Sequence, residues 1–289
     1  MQMTYSEQSE TNYEWDFPGD YGLFGPRSIS WRLHGDPSAF VGGIRALLLQ
    51  ALSQRSMRAV VDFSDYRRDP WGRLRRTSNF VMATTFQNTQ HARRAISDVQ
   101  SIHDRINGYD PDSGSTYSAN SGELLAFIHN CFVDSMLASY QSFVKPLSDA
   151  EQSQYLSEQS KIAELLGADM ELVELSPQSL LAAIVQNDDL GMSDGALRAF
   201  SDIASPPFSS FEVVLRPLWN LVFDSALDLL PDFAKDLYAV ESSGAAFAWR
   251  KASVSMLAQV SRLILPSHPY LRNAKYRWYA EPESKLPRP

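Results

Sequence analysis

Residues Trp31 to Leu52 read "WRLHGDPSAFVGGIRALLLQAL". Asp36 followed by Pro37 is a helix start: the carboxylate can accept from free N–H groups of the first turn, and proline needs no donor there. The spacing predicts a helix opening at residue 37, with Trp31, Arg32, His34 and Asp36 clustered at its mouth. Gly42 and Gly43 lie inside it, and each costs roughly 0.8–1 kcal/mol relative to alanine. Such a cost points to a close approach on this face, by another backbone or by a flat ligand.

The same three-and-four spacing of apolar residues recurs along nearly the whole chain, and strict alternation is scarce. The expected fold is therefore all-α, a single-domain multi-helix bundle. Helices are expected at about 37–60, 70–86, 88–106, 121–144, 148–166, 177–187, 193–203, 210–229 and 244–264. Ser148-Asp149-Ala150-Glu151 has the order of a capping box, and Gly167 follows as a helix stop. Asn107 to Gly122, "NGYDPDSGSTYSANSG", is rich in turn formers and is expected as a surface loop. No internal repeat is evident.

Composition narrows the function. The 289 residues carry 34 acids against 26 Lys and Arg, a net charge of −8, which argues against a general nucleic-acid binder. The single cysteine, Cys131, excludes an internal disulfide framework and suits a cytoplasmic setting. No apolar run is long enough for stable membrane insertion, and the N-terminus lacks the order of a signal peptide. Residues 1–22 form an acidic arm without Lys or Arg; 23–280 form the helical domain and 281–289 a tail. Arg272, Lys275 and Arg277 interleave with Tyr270, Tyr276, Trp278 and Tyr279, a segment expected to pack on its own domain. GxSxG, GxxxxGK[ST], GxGxxG and HExxH signatures are absent.

Two histidines lie on apolar helical stripes. His103 shares one with Ile96, Val99 and Ile106; it is a core histidine or a ligand to a buried haem iron. His129 is flanked by Leu125, Phe132 and Met136, with Asp134 and Ser135 a turn away and suited to orient an imidazole. His91 and His268 read as surface residues. "DYRRDPWGRLRRTSNF" is the densest cationic stretch, with Arg67, Arg68, Arg73, Arg75 and Arg76. Most pair with Asp65 and Asp69. Arg73 and Thr77, four apart, share a face and can together hold a carboxylate, a haem propionate or a polarised oxygen.

The segments "FGPRSISWRLHGDPSAFVGGIRALLLQAL", "HARRAISDVQSIHDRINGYDP", "ELLAFIHNCFVDS" and "VKPLSDAEQSQYLSEQSKIAELLG" resemble the bacterial MpaB-type oxygenase family, related to the rubber-cleaving latex clearing proteins. The likeness spans about residues 22 to 275. It implies a globin-like all-α core and, as in the rubber-cleaving relatives, a b-type haem that cleaves carbon–carbon double bonds with dioxygen. The residue matching the axial ligand is His103, and those matching the haem-pocket supports are Arg73 and Thr77. His34 or His129 would orient a neighbour, and Gly42 and Gly43 would admit a macrocycle or a crossing helix. Arg76 stands where some relatives cap the iron with lysine, and arginine is a poor ligand. Ser53 and Gln54 replace a His-Pro pair, and Phe63 replaces a second histidine.

The resemblance therefore leads to a haem-b oxygenase or peroxidase-like oxidase acting on an apolar isoprenoid or polyketide-like substrate. A cofactor-free cyclase or isomerase using the emptied haem pocket is the alternative, motivated by the replaced histidines. A non-catalytic carrier has only the acidic arm and the aromatic-basic tail in its favour.

Overall fold

Ser53 divides the first long helix in two. Its backbone is extended, its hydroxyl accepts from the Ser56 amide as an N-cap, and the same oxygen donates to Asp189 Oδ2 at 2.5 Å. A fully buried serine with two local partners stops one helix and starts the next. The expected helix over 37–60 is thus two helices.

The computed structural model describes residues 20–64, 68–110, 114–209, 212–241, 243–264 and 268–280. The arm up to residue 19, Arg67 and the tail 281–289 lie outside them. Along the described chain run α1 (Ile29–His34), α2 (Ala39–Ala51), α3 (Gln54–Phe63), α4 (Pro70–Phe86) and α5 (Thr89–His103). A hairpin of β1 (Asn107–Asp110) and β2 (Ser115–Ser118) follows, then α6 (Gly122–Phe143), α7 (Asp149–Leu166), α8 (Leu180–Val185) and α9 (Asp194–Ala204). A 3₁₀ turn, Glu212–Leu215, leads into α10 (Arg216–Asp228), α11 (Asp232–Tyr238), α12 (Gly244–Ile264) and α13 (Pro269–Ala280).

The all-α reading holds, with local corrections. The segment 107–122 is a surface excursion, but it pairs antiparallel with Asn107 opposite Ser118. The helix expected over 88–106 ends at His103, where Asp104 caps it. Helices α1 and α11 are too short for a full period to show. Asp20, placed in the arm, is tied down: its Oδ1 accepts from the Gly22 and Thr89 amides.

Helix α2 is the centre of the molecule. Leu48, Leu49 and Leu52 are buried against Leu124, Phe127 and Cys131 of α6 and against Trp219, Val222 and Phe223 of α10. Gly42 explains the closeness of α2 and α6: a Cβ there would lie 3.0 Å from the Ser135 carbonyl oxygen and 3.2 Å from Met136 Sδ. Of the two approaches open to the double glycine, the crossing helix is the one Gly42 serves. A Cβ on Gly43 would meet nothing within 4 Å. Beside that crossing the buried Arg45 reaches Asp134 at 2.6 Å, Ser135 Oγ at 2.7 Å and the Leu229 carbonyl at 2.7 Å. Asp134 and Ser135 therefore hold a guanidinium, not an imidazole.

A second apolar cluster joins α1, α4, α5, α7 and α13 through Trp31, Phe86, Ile96, Ile162 and Leu271. The C-terminal aromatic-basic segment packs on its own domain through α13, where Tyr270 and Leu271 are buried.

Candidate active site

Helix α4 begins with Asp69, whose side chain accepts from the Gly72 amide at 2.8 Å, and with Pro70 in its first turn. That start fixes the face carrying Trp71, Arg73, Leu74 and Thr77, which lie at spacings of three and four. The face looks into a half-open pocket of about 120 Å³. Ile44 and Leu47 of α2, Met57 and Val60 of α3, Ala199 and Ile203 of α9, and Trp219 of α10 complete an apolar lining.

Two indoles frame one side. Trp71 and Trp219 meet edge to face with centroids 5.1 Å apart. Their N–H groups are both occupied, by the Pro207 carbonyl at 2.7 Å and the Ile203 carbonyl at 2.9 Å. The rings therefore present carbon to the cavity. The polar lining is limited to Gln50, Ser56, Arg73, Thr77 and Asp202. Gln50 is held by the Ile128 carbonyl at 3.0 Å, and Arg73 donates to the Ser64 hydroxyl. An apolar chamber with a guanidinium and a hydroxyl one turn apart can take an apolar substrate and hold one negatively polarised group.

The structure brings Arg73 and Thr77 together, as their spacing predicts. No histidine lines the pocket. His103, the last residue of α5, lies toward the end of the α4–α5 pair at which α4 begins, outside the chamber lining. Its Nδ1 is buried without a hydrogen-bond partner, and so is Asn120 Oδ1. Burial lowers the basicity of the ring, opposed by the nearby Asn120 amide and Asp104 carboxylate. The imidazole is accordingly neutral near pH 7, the form able to ligate a metal. Among the described residues no cluster of three His, Cys, Asp or Glu could hold a metal ion by itself.

His34 is core. Its Nδ1 meets Thr85 Oγ1 and its Nε2 meets Tyr155 OH, both at 2.8 Å, and burial drives its pKa down to about 3. With both ring nitrogens occupied it is a structural link between α1, α4 and α7. His129 is also buried, with its pKa lowered to about 4 and its Nε2 unpartnered. Neither borders the chamber, nor do Gly42, Gly43, Ser53, Gln54 and Phe63. Arg76 is exposed and pairs with Asp69 at 3.3 Å.

The family model described as "ER-bound oxygenase mpaB/B'/Rubber oxygenase, catalytic domain" matches residues 31–263. The chain belongs to this family. Within that oxygenase catalytic domain lies every residue of the chamber, from Ile44 to Trp219. No curated protein and no solved structure matches the chain. Trp219 and Asp202 have no local signal in the sequence because they lie far along the chain from Arg73. Only the Arg73–Thr77 spacing is a local signal.

Proposed function

We propose that this family member is a haem-b-dependent oxygenase that acts on an apolar, isoprenoid or polyketide-like substrate held in the α2–α4–α9–α10 chamber. The observation that carries the reading is the convergence of Arg73 and Thr77, the two residues matching the family's haem-pocket supports, on a chamber whose other walls are apolar.

The residues present fit such a cofactor in chemistry. His103 offers a neutral, partly buried imidazole beside Asn120, and would be the iron ligand. Arg73, steadied by Ser64, would face a propionate, and Thr77 would donate to a bound or developing oxygen charge. When bound, haem supplies dioxygen activation for cleavage of a carbon–carbon double bond. Trp71, Leu47 and Ile203 would order the hydrocarbon chain and keep water from the reacting bond, and Gln50 and Asp202 would be the polar markers of its orientation.

A second reading, a cofactor-free cyclase or isomerase, is favoured by one observation: the chamber wall contains no imidazole. An apolar cavity can act by folding a flexible substrate into a reactive conformation.

Dioxygen separates the two. Haem-supplemented protein incubated with a linear polyisoprenoid should consume dioxygen and place ¹⁸O from ¹⁸O₂ in carbonyl products. Conversion that proceeds equally under argon, without label, would exclude the oxygenase and establish the second reading.

A further inference from the structure

Trp71 and Trp219 border two cavities. On one side is the chamber; on the other a groove of about 270 Å³ runs between α10 and α12, lined among others by Leu218, Val222, Val254 and Leu257. The two indoles are the only residues that the two linings share. Helix α2 underlies both spaces: Phe40 and Val41 line the groove, Ile44 and Leu47 the chamber. The cavities therefore follow one another along α2, with the indole pair between them.

Protein interiors are close-packed, so a ring that only fills a core has side chains on every side. This pair instead divides two spaces. It is also held in place. Both N–H groups are bonded to carbonyls of one segment, Ile203 at the end of α9 and Pro207 just beyond it. Phe208, from the same segment, packs on Trp71 with centroids 5.3 Å apart, and Phe40 meets Trp219 edge to face at 6.0 Å. An indole has one polar hydrogen, and here both are used. What the pair offers a ligand is bulk.

We propose that the Trp71–Trp219 pair is the stop that limits how far an apolar chain enters the chamber, and so sets the chain length that the site recognises. The inference rests on the proposed function only in taking the chamber as the place where an apolar chain binds. It gives the two indoles a part in selectivity and none in the chemistry. Replacing either ring by a smaller side chain would join the chamber to the groove, whose apolar lining continues the same surface. A chain could then bury further methylene groups beyond the wall.

Calorimetric titration of the full chain with straight-chain primary alcohols, from hexanol to dodecanol, tests this without haem or dioxygen. In wild type the affinity should rise by up to about fourfold for each added methylene until the chamber is filled, and then level off. In Trp71→Ala the rise should continue to longer alcohols, so that the longest binds at least about tenfold more tightly than it does to wild type. Trp219 is the more deeply buried of the two, so Trp219→Leu, which keeps some of its bulk, is the second variant and should move the limit in the same direction. Leu257→Ala alters the groove and leaves the wall intact, and should keep the wild-type limit. A limit that stays at the same alcohol in both tryptophan variants would overturn the proposal, as would one that moves in Leu257→Ala. Binding of no alcohol at all would overturn both the stop and the apolar chamber. A limit that moves as stated in a protein without oxygen-dependent turnover would leave the stop standing and remove the oxygenase.

Discussion

His34 and His129 are the histidines most strongly affected by burial, with pKa values of about 3 and about 4, and both are neutral in the folded protein at pH 7. In the unfolded chain they titrate near 6.5. Between these values the unfolded state binds more protons, so the stability they contribute is complete above about pH 6.5 and is lost as pH falls toward 4. Each can add a slope of up to about 1.4 kcal/mol per pH unit in that window. Denaturant unfolding at neutral pH and at about pH 5 should show this loss, and His129→Leu should flatten it, since its Nε2 gives up no hydrogen bond. An unchanged slope in the variant would mean that His129 protonates freely in the fold. Residue identity alone exposed part of the site. Arg73 and Thr77 are four apart, and that spacing survives folding. His34 looked equally chemical in sequence, yet Thr85 and Tyr155, far along the chain, absorb both its nitrogens. Long-range partners of this kind leave no local trace.

The α2–α6 crossing decides how the helices assemble, and its two glycines have opposite sensitivities. Gly42→Ala places a Cβ 3.0 Å from a backbone carbonyl that cannot easily move, so it should destabilise the fold by about 1–3 kcal/mol. Gly43→Ala enters open space and should stabilise by up to about 1 kcal/mol through helix propensity. Urea midpoints of the two variants should move in opposite directions. A shared direction would show that the crossing is not set by Gly42. At the same crossing, Arg45→Met leaves Asp134 without its cation and should cost about 3 kcal/mol or more, most of it regained in Arg45→Met/Asp134→Leu. Calorimetric midpoints check this, and a double variant no better than the single would locate the cost in Arg45's contacts to Ser135 and Leu229. Helix boundaries were legible where caps are local, as at Ser148 and Gly167. They were not where Ser53 depends on Asp189, 136 residues away. The hairpin over 107–118 carries no strand signal in the sequence, because its strands are four residues each and rich in turn formers.

At the scale of the whole molecule, helical periodicity carried the fold class, because an all-α bundle repeats one signal along nearly its full length. The chamber was less legible. Its walls come from α2, α3, α4, α9 and α10, and its two indoles are 148 positions apart in the numbering, at Trp71 and Trp219. Membership of the oxygenase family and the position of Arg73 and Thr77 on that chamber lead to one central claim, a haem held by His103. Thr77→Val should leave cofactor loading intact while lowering turnover about tenfold or more, the loss expected for one donor to developing charge. Unchanged turnover would remove Thr77 from the site. The claim itself is tested most directly by the absorption spectrum of purified, haem-supplemented wild type beside that of His103→Ala. The account predicts a strong Soret band in wild type that is weakened or shifted in the variant. A folded wild-type protein that stays colourless through haem titration, or a band that His103→Ala leaves unchanged, would contradict it.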